Sequence, residues 1–223
     1  MGKGKELLKF WESDRKKFHK FNMGYDLLQE FYDGLHWCHL IPFLKSDEDD
    51  RKTALAILSE LECNDEELVE VMIPFLKSGI DIERFYSAEW FQMFSKSGRS
   101  EYFIYVIDLL NDSSPEIVKQ IASMVFNASN EELQGAMGNM GNYISYNFDT
   151  HKEGLELLLS PLNNYSEFID NMLNEKDHLL QLYYAIYCVR FVKNDHSLLD
   201  ILIRNSENNL TVSVAEFGRK LTL

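Results

Sequence analysis

The hexapeptide Ile41-Pro42-Phe43-Leu44-Lys45-Ser46 recurs without change as Ile73-Pro74-Phe75-Leu76-Lys77-Ser78, 32 positions further on in a chain of 223 residues. An accidental identity of that length is expected in roughly one such chain in a thousand or fewer, so the copies read as one repeated structural unit. A period of about 30 to 45 residues belongs to stacked helical hairpins, because each hairpin has an apolar face too large to leave wet and buries it against its neighbours. The rest of the chain agrees. Apolar residues recur at spacings of three and four, and turn signals break the pattern at helical-hairpin intervals. Only Thr211–Val214 alternates with a period of two, which leaves the tail unassigned.

Helix starts and stops are explicit. Asn64-Asp65-Glu66-Glu67 and Ser129-Asn130-Glu131-Glu132 are capping-box patterns, and Ser114-Pro115-Glu116 puts proline at a first helical position. Ser78-Gly79, Ser97-Gly98 and Asn111-Asp112 are stops. A charged first helix is expected over about 4–20, with later helices at about 131–148, 152–160, 165–174, 177–192 and 196–205. Pro42 and Pro74 lie inside apolar runs, where each removes a helical hydrogen bond and bends the first helix of its pair.

Leu40-Ile41-Pro42-Phe43-Leu44, leading through Asp47 and Arg51 to Ala54, Leu58 and Leu61, resembles a HEAT repeat. Val106-Ile107-Asp108-Leu109-Leu110-Asn111-Asp112, followed by Pro115-Glu116-Ile117 and then Ile121, Ala122 and Val125, resembles a second copy. The first copy departs in having a shorter turn without proline. The resemblance implies an all-α fold, a right-handed α-α superhelix (HEAT-like solenoid) of stacked antiparallel helix pairs. It implies one domain over 1–223: a cap at about 1–22, the clearest repeats over 23–127, and degenerate repeats with a C-terminal cap over 128–223. Ala54, Ala56, Ala88 and Ala122 are expected at close helix contacts.

Charge narrows the function. With 36 Asp and Glu against 22 Lys and Arg, the formal net charge is −14, which disfavours nucleic acid, whose affinity comes largely from basic side chains releasing counterions. The charge is also uneven: residues 46–83 hold twelve acids and three bases, whereas residues 1–20 hold seven bases and three acids. That asymmetry suits a basic protein partner. No apolar run approaches bilayer length and no signal-type apolar region follows the N-terminus, so a cytoplasmic protein without membrane contact is expected. Cys38, Cys63 and Cys188 have no metal-type spacing and read as small buried hydrophobes.

No catalytic, cofactor or metal site is expected. His36-Trp37-Cys38-His39 lacks the third and fourth ligands a zinc site needs, and Asp47–Asp50 fails the calcium-loop spacing because Arg51 takes the fifth position. The acidic run reads instead as a helix start, its carboxylates meeting the positive dipole end. Gly135, Gly138 and Gly141 either line one helix face for close packing or interrupt the helix. The candidate partner-binding residues are the acids Asp47, Asp49, Asp50, Glu83 and Glu116 with the aromatics Tyr86, Trp90, Tyr143 and Tyr146.

In size, acidity and HEAT-like helicity the chain is similar to some immunity proteins of bacterial nuclease toxins. That resemblance implies a non-catalytic module that covers the phosphate-binding cleft of a basic toxin domain. A generic HEAT-like scaffold or adaptor holding a peptide or subunit is the alternative. A DNA glycosylase-like HEAT enzyme is a third reading, opposed by the charge.

Overall fold

A computed structural model describes residues 2–61, 65–143, 147–191 and 197–221, and every regular element among them is helical. The α-helices are α1 (Lys3–Ser13), α2 (Arg15–Lys20), α3 (Gly24–Tyr32), α4 (Ile41–Leu44), α5 (Glu48–Glu60), α6 (Glu67–Met72), α7 (Asp81–Lys96), α8 (Ile104–Asp108), α9 (Pro115–Asn127), α10 (Asn130–Tyr143), α11 (Phe148–Leu159), α12 (Tyr165–Asn174), α13 (His178–Phe191), α14 (Ser197–Asn205) and α15 (Asn209–Leu221). None of the described helices is long and apolar enough to cross a membrane. The chain gathers into two compact units, Met1–Met93 and Phe94–Leu223, and the division falls inside α7.

The two hexapeptides are entered with the same backbone torsion and closed by the same hydrogen bond, but the first is α-helical and the second 3-10. Leu40 and Met72 stand at φ −84° and −85°, and Ile41 and Ile73 at φ −52° and −50°. Ser46 and Ser78 then each donate a backbone N–H to the carbonyl three residues back, at 3.1 Å in both copies. The bend expected at the prolines takes the form of a change of helix type. A 3-10 segment, Trp37–Leu40, precedes α4, and α6 passes into a 3-10 segment, Ile73–Lys77. The longer partners α5 and α7 follow, and the Asp47 carboxylate caps α5 by accepting the Asp50 N–H at 3.1 Å. Before α6, Asp65 accepts from the Glu67 N–H two residues on at 3.0 Å, a turn rather than the expected box, whose Asn64 lies outside the described residues. The charged first helix is two: Asp14, at φ −147°, ends α1 and caps α2 by accepting the Lys17 N–H.

Each copy also buries an acid. Asp50, 0% exposed, accepts from Trp11 Nε1 at 2.6 Å and Ser46 Oγ at 2.7 Å, meets His19 Nε2 at 2.8 Å and pairs with Arg15 at 3.1 Å. The Trp11 ring lies between Phe18 and Phe43 at centroid distances of 4.5 and 3.8 Å, so α1 and α2 are keyed onto the first copy. In the second copy Glu83 accepts from Arg51 Nε at 2.8 Å and Ser78 Oγ at 2.6 Å. Arg51 and Arg84 donate in turn to the carbonyls of Ser46 and Ser78. The serine that closes each hexapeptide thus binds the acid that follows it, and an arginine completes each set.

In the C-terminal unit α13 is apolar all round, and ten of its residues are buried, as an unbroken apolar helix requires. Helices α11 and α15 press onto it through glycine: a Cβ added at Gly154 would sit 2.2 Å from the Tyr183 ring, and one at Gly218 would sit 2.2 Å from Val189. Arg190 at the end of α13 donates to the carbonyls of Phe126 and Ala128 and to Asn130 Oδ1, holding the turn between α9 and α10. That turn carries the predicted capping box, with Ser129 and Glu132 exchanging hydrogen bonds at 2.9 and 3.1 Å. Helix α10 runs through all three of its glycines; Gly135 meets Ser100, where an added Cβ would be at 2.4 Å, while Gly138 and Gly141 face open space.

Two expectations are corrected. The tail is helical: Thr211, Val214, Ala215 and Gly218 are buried at the i, i+3, i+4, i+7 spacing, a period that a four-residue window hid. Cys38 is exposed, whereas Cys188 is buried as expected, and Cys63 lies outside the described residues.

Side-chain bonds between distant residues repeat one separation in both units. Arg51 meets Glu83, His151 meets Tyr183 and Tyr165 meets Ser197, each 32 residues on; Trp37 reaches Asp65 at 28 and His178 reaches Asn208 at 30. Three of these bonds share the interval of the hexapeptide repeat, while others span 27 residues, between Tyr187 and Ser160, to 39, between Trp11 and Asp50.

Candidate functional site

The anticipated binding residues separate by burial. Asp50, Glu83 and Trp90 are interior groups: the two acids are held by arginine and serine as described, and the Trp90 ring packs edge-on to Phe91 at 5.0 Å. Acids at helix starts were expected outside, but Asp50 and Glu83 each accept from the serine of their own hexapeptide and from an arginine that precedes that hexapeptide, Arg15 and Arg51. Asp47 and Asp49 are exposed at the start of α5, Asp47 beside Arg15 at 3.3 Å. Glu116 is exposed and pairs with Lys119 at 2.6 Å. Tyr143 is exposed and tilts against Tyr105 at 4.7 Å, and Tyr146 lies outside the described residues.

Tyr86 leads to a site the sequence reading did not name. It is half-buried on α7, and its hydroxyl is pushed up by burial, then by the carboxylates of Glu89 and Glu60. Glu89 stands three residues on, one helical turn along the same face, and Glu60 closes α5. Burial, and after it the nearby Glu60, raise the Glu89 carboxyl to about 6, with a hydrogen bond to Ser59 offsetting part of the shift. Among the described residues no cation is among the groups acting on Glu89. From α3, the Tyr32 hydroxyl donates to the Glu60 carbonyl at 3.0 Å. The ends of α3 and α5 and the middle of α7 thus present two carboxylates beside two tyrosines, all within the N-terminal unit.

Chemically this arrangement can take up one proton or one cation near neutral pH. Among the described residues no three His, Cys, Asp or Glu side chains gather to hold a metal. No family model, curated protein or solved structure matches this chain. The site is therefore read from its own geometry. Its sequence signal was Glu89 itself, the one acid in the run Phe85-Tyr86-Ser87-Ala88-Glu89-Trp90-Phe91. Its pairing with Glu60, 29 positions earlier, has no local signature.

A surface cavity of about 290 Å³ in the C-terminal unit is lined by Met172, Leu173 and Leu202 together with Glu175, Lys176, His178 and Glu207. Its charges are of both signs and select no class of ligand.

Proposed function

We propose that this chain is a non-catalytic, cytoplasmic binding protein, a HEAT-like right-handed superhelix whose anionic surface receives a basic protein. In its concrete form it is an immunity protein that neutralises a nuclease-type bacterial toxin. The observation that carries the reading is the Glu60–Glu89 pair. A carboxyl raised by burial and then by a neighbouring carboxylate costs stability at neutral pH, and a lysine or arginine supplied by a partner relieves that cost. Three side-chain bonds that span 32 residues support the superhelix, because stacked hairpins of one repeat length meet at that offset. The net charge of −14 supports long-range attraction of a basic partner.

The test is co-expression. The product of the neighbouring open reading frame is expected to arrest growth of a heterologous bacterium, and this chain to restore it; arrest that the chain does not relieve removes the toxin reading. Salt separates the adaptor alternative, since charge-steered binding weakens steeply between 50 mM and 500 mM NaCl whereas an apolar groove hardly responds.

A further inference from the structure

Helix α3 carries the largest exposed aromatic surface of the N-terminal unit. Tyr25 is 67% exposed and Tyr32 55%, and Phe21, in the turn leading into the helix, is 63% exposed. Tyr25, Gln29, Tyr32 and Asp33 follow the i, i+4, i+7, i+8 spacing of a single helix face, with Asp26 at its edge. The inner face of the same helix is spent on Leu27 and Phe31, so these rings are not core residues left partly uncovered. Isolated exposed aromatics are ordinary on a protein surface, but rings aligned on one face mark contact surfaces.

Charge decides what covers this face. Helix α3 contains no lysine or arginine; its ionisable residues besides the tyrosines are Asp26 and Glu30, and Asp33 caps its end. Glu30 is engaged by Lys3 at 3.8 Å, which leaves Asp26 and Asp33 as the exposed acids of the helix. The Tyr32 hydroxyl reaches the Glu60 carbonyl, so the face runs on to the Glu60–Glu89 pair. A face that alternates π surfaces with carboxylates fits guanidinium or ammonium groups, which stack on the ring and meet the acid beside it. An apolar partner would bury Asp26 and Asp33 unpaired, and an acidic one would be repelled.

We propose that the exposed face of α3, continued by Glu60 and Glu89, is the docking surface for an arginine- or lysine-bearing segment of a basic protein partner. This rests on the reading above and gives that partner a location and a spacing. Seven residues of helix set Tyr25 and Tyr32 about 10 Å apart. A similar separation divides residues i and i+3 of a polyproline II segment, which share one face, or i and i+7 of a helix. The partner segment therefore presents cationic side chains at one of those intervals.

The test uses the full chain and a hexa-arginine peptide, with amide shifts followed by NMR at low salt and the folding of each variant checked by circular dichroism. Shifts are expected to centre on residues 25–33, Glu60 and Glu89. The double variant Tyr25→Ala, Tyr32→Ala should bind about tenfold more weakly. Asp26→Lys with Asp33→Lys, which keeps both rings, should weaken binding at least as much, while Asp47→Asn with Asp49→Asn should change it less than about twofold. Shifts centred on Asp47–Asp49, or unchanged affinity in the tyrosine variant, overturn this surface and leave the basic-partner reading intact. Absence of binding anywhere on the chain overturns both.

Discussion

Asp50 and Glu83 on one side, Glu60 and Glu89 on the other, are carboxylates of the same unit in opposite circumstances. The first two are buried and fully engaged: Asp50 by Trp11, Arg15, His19 and Ser46, Glu83 by Arg51 and Ser78. The second two act on each other, and among the described residues no cation is among the groups that shift Glu89. Burial of a charge is tolerated where hydrogen bonds and an opposite charge replace the lost water, and is costly where they do not. The first pair therefore reads as architecture, repeated because the hairpin is repeated. The second reads as a site with something missing from it.

The largest expected effect tests the architectural half. Asp50→Ala leaves the Trp11 N–H, His19, Ser46 and the Arg15 guanidinium without their common acceptor, and should destabilise the protein by about 3–5 kcal/mol in urea unfolding. Arg51→Ala, which leaves Glu83 buried with Ser78 alone, should fall toward the lower end of that range. Glu60→Ala at the exposed end of α5 should cost under about 0.5 kcal/mol. Equal effects at Asp50 and Glu60 would erase the distinction between the two sets.

A buried group without any charge partner sharpens the comparison from the other unit. His151 is fully buried, bonded through Nδ1 to the Tyr183 hydroxyl at 2.8 Å, and burial lowers it from 6.5 to about 4, against a smaller opposing effect of Asp177. Above pH 6.5 both folded and unfolded chains hold it neutral. As the pH falls from 6.5 toward 4, the unfolded chain takes up a proton that the folded chain refuses, so stability drops by about 3 kcal/mol across that window. Denaturant midpoints measured at pH 7, 5.5 and 4 should trace the loss. In His151→Gln, less stable at neutral pH, that part of the pH dependence should be absent.

The sequence made some of this legible and hid the rest for physical reasons. Helix-forming pattern, caps and the hexapeptide are local signals, and they located most of the helices and the capping box at Ser129. Burial of an acid is not local. Asp47, Asp49 and Asp50 look alike in a run of four acids, yet only Asp50 points inward, because Trp11 and Arg15, more than 30 positions away, supply its partners. The aromatics divide in the same way. Trp90 is core and Tyr86 half-buried, four residues apart on one helix, while the most exposed rings, on and just before α3, precede the recognisable repeats.

A small predicted stability effect, at Glu89, is also the most diagnostic, because its sign is unusual. Replacing a half-buried side chain normally destabilises, but Glu89→Gln should stabilise at pH 7.5 by about 1 kcal/mol, an amount reduced by the solvent on its exposed side. With a folded value of about 6 against 4.5 unfolded, the carboxyl costs nothing below pH 4.5, where both states are protonated, and its full penalty appears once the pH has passed 6. Thermal unfolding of the two proteins should therefore differ at pH 7.5 and converge at pH 4. A constant difference at both would trace the effect to packing and remove the electrostatic argument. The same substitution should weaken hexa-arginine binding a few-fold at pH 7.5, because the charge that burdens the free protein is the one a cationic partner uses. Gain in stability together with loss of binding separates a site from a structural acid; Asp50→Ala can show only the loss of stability.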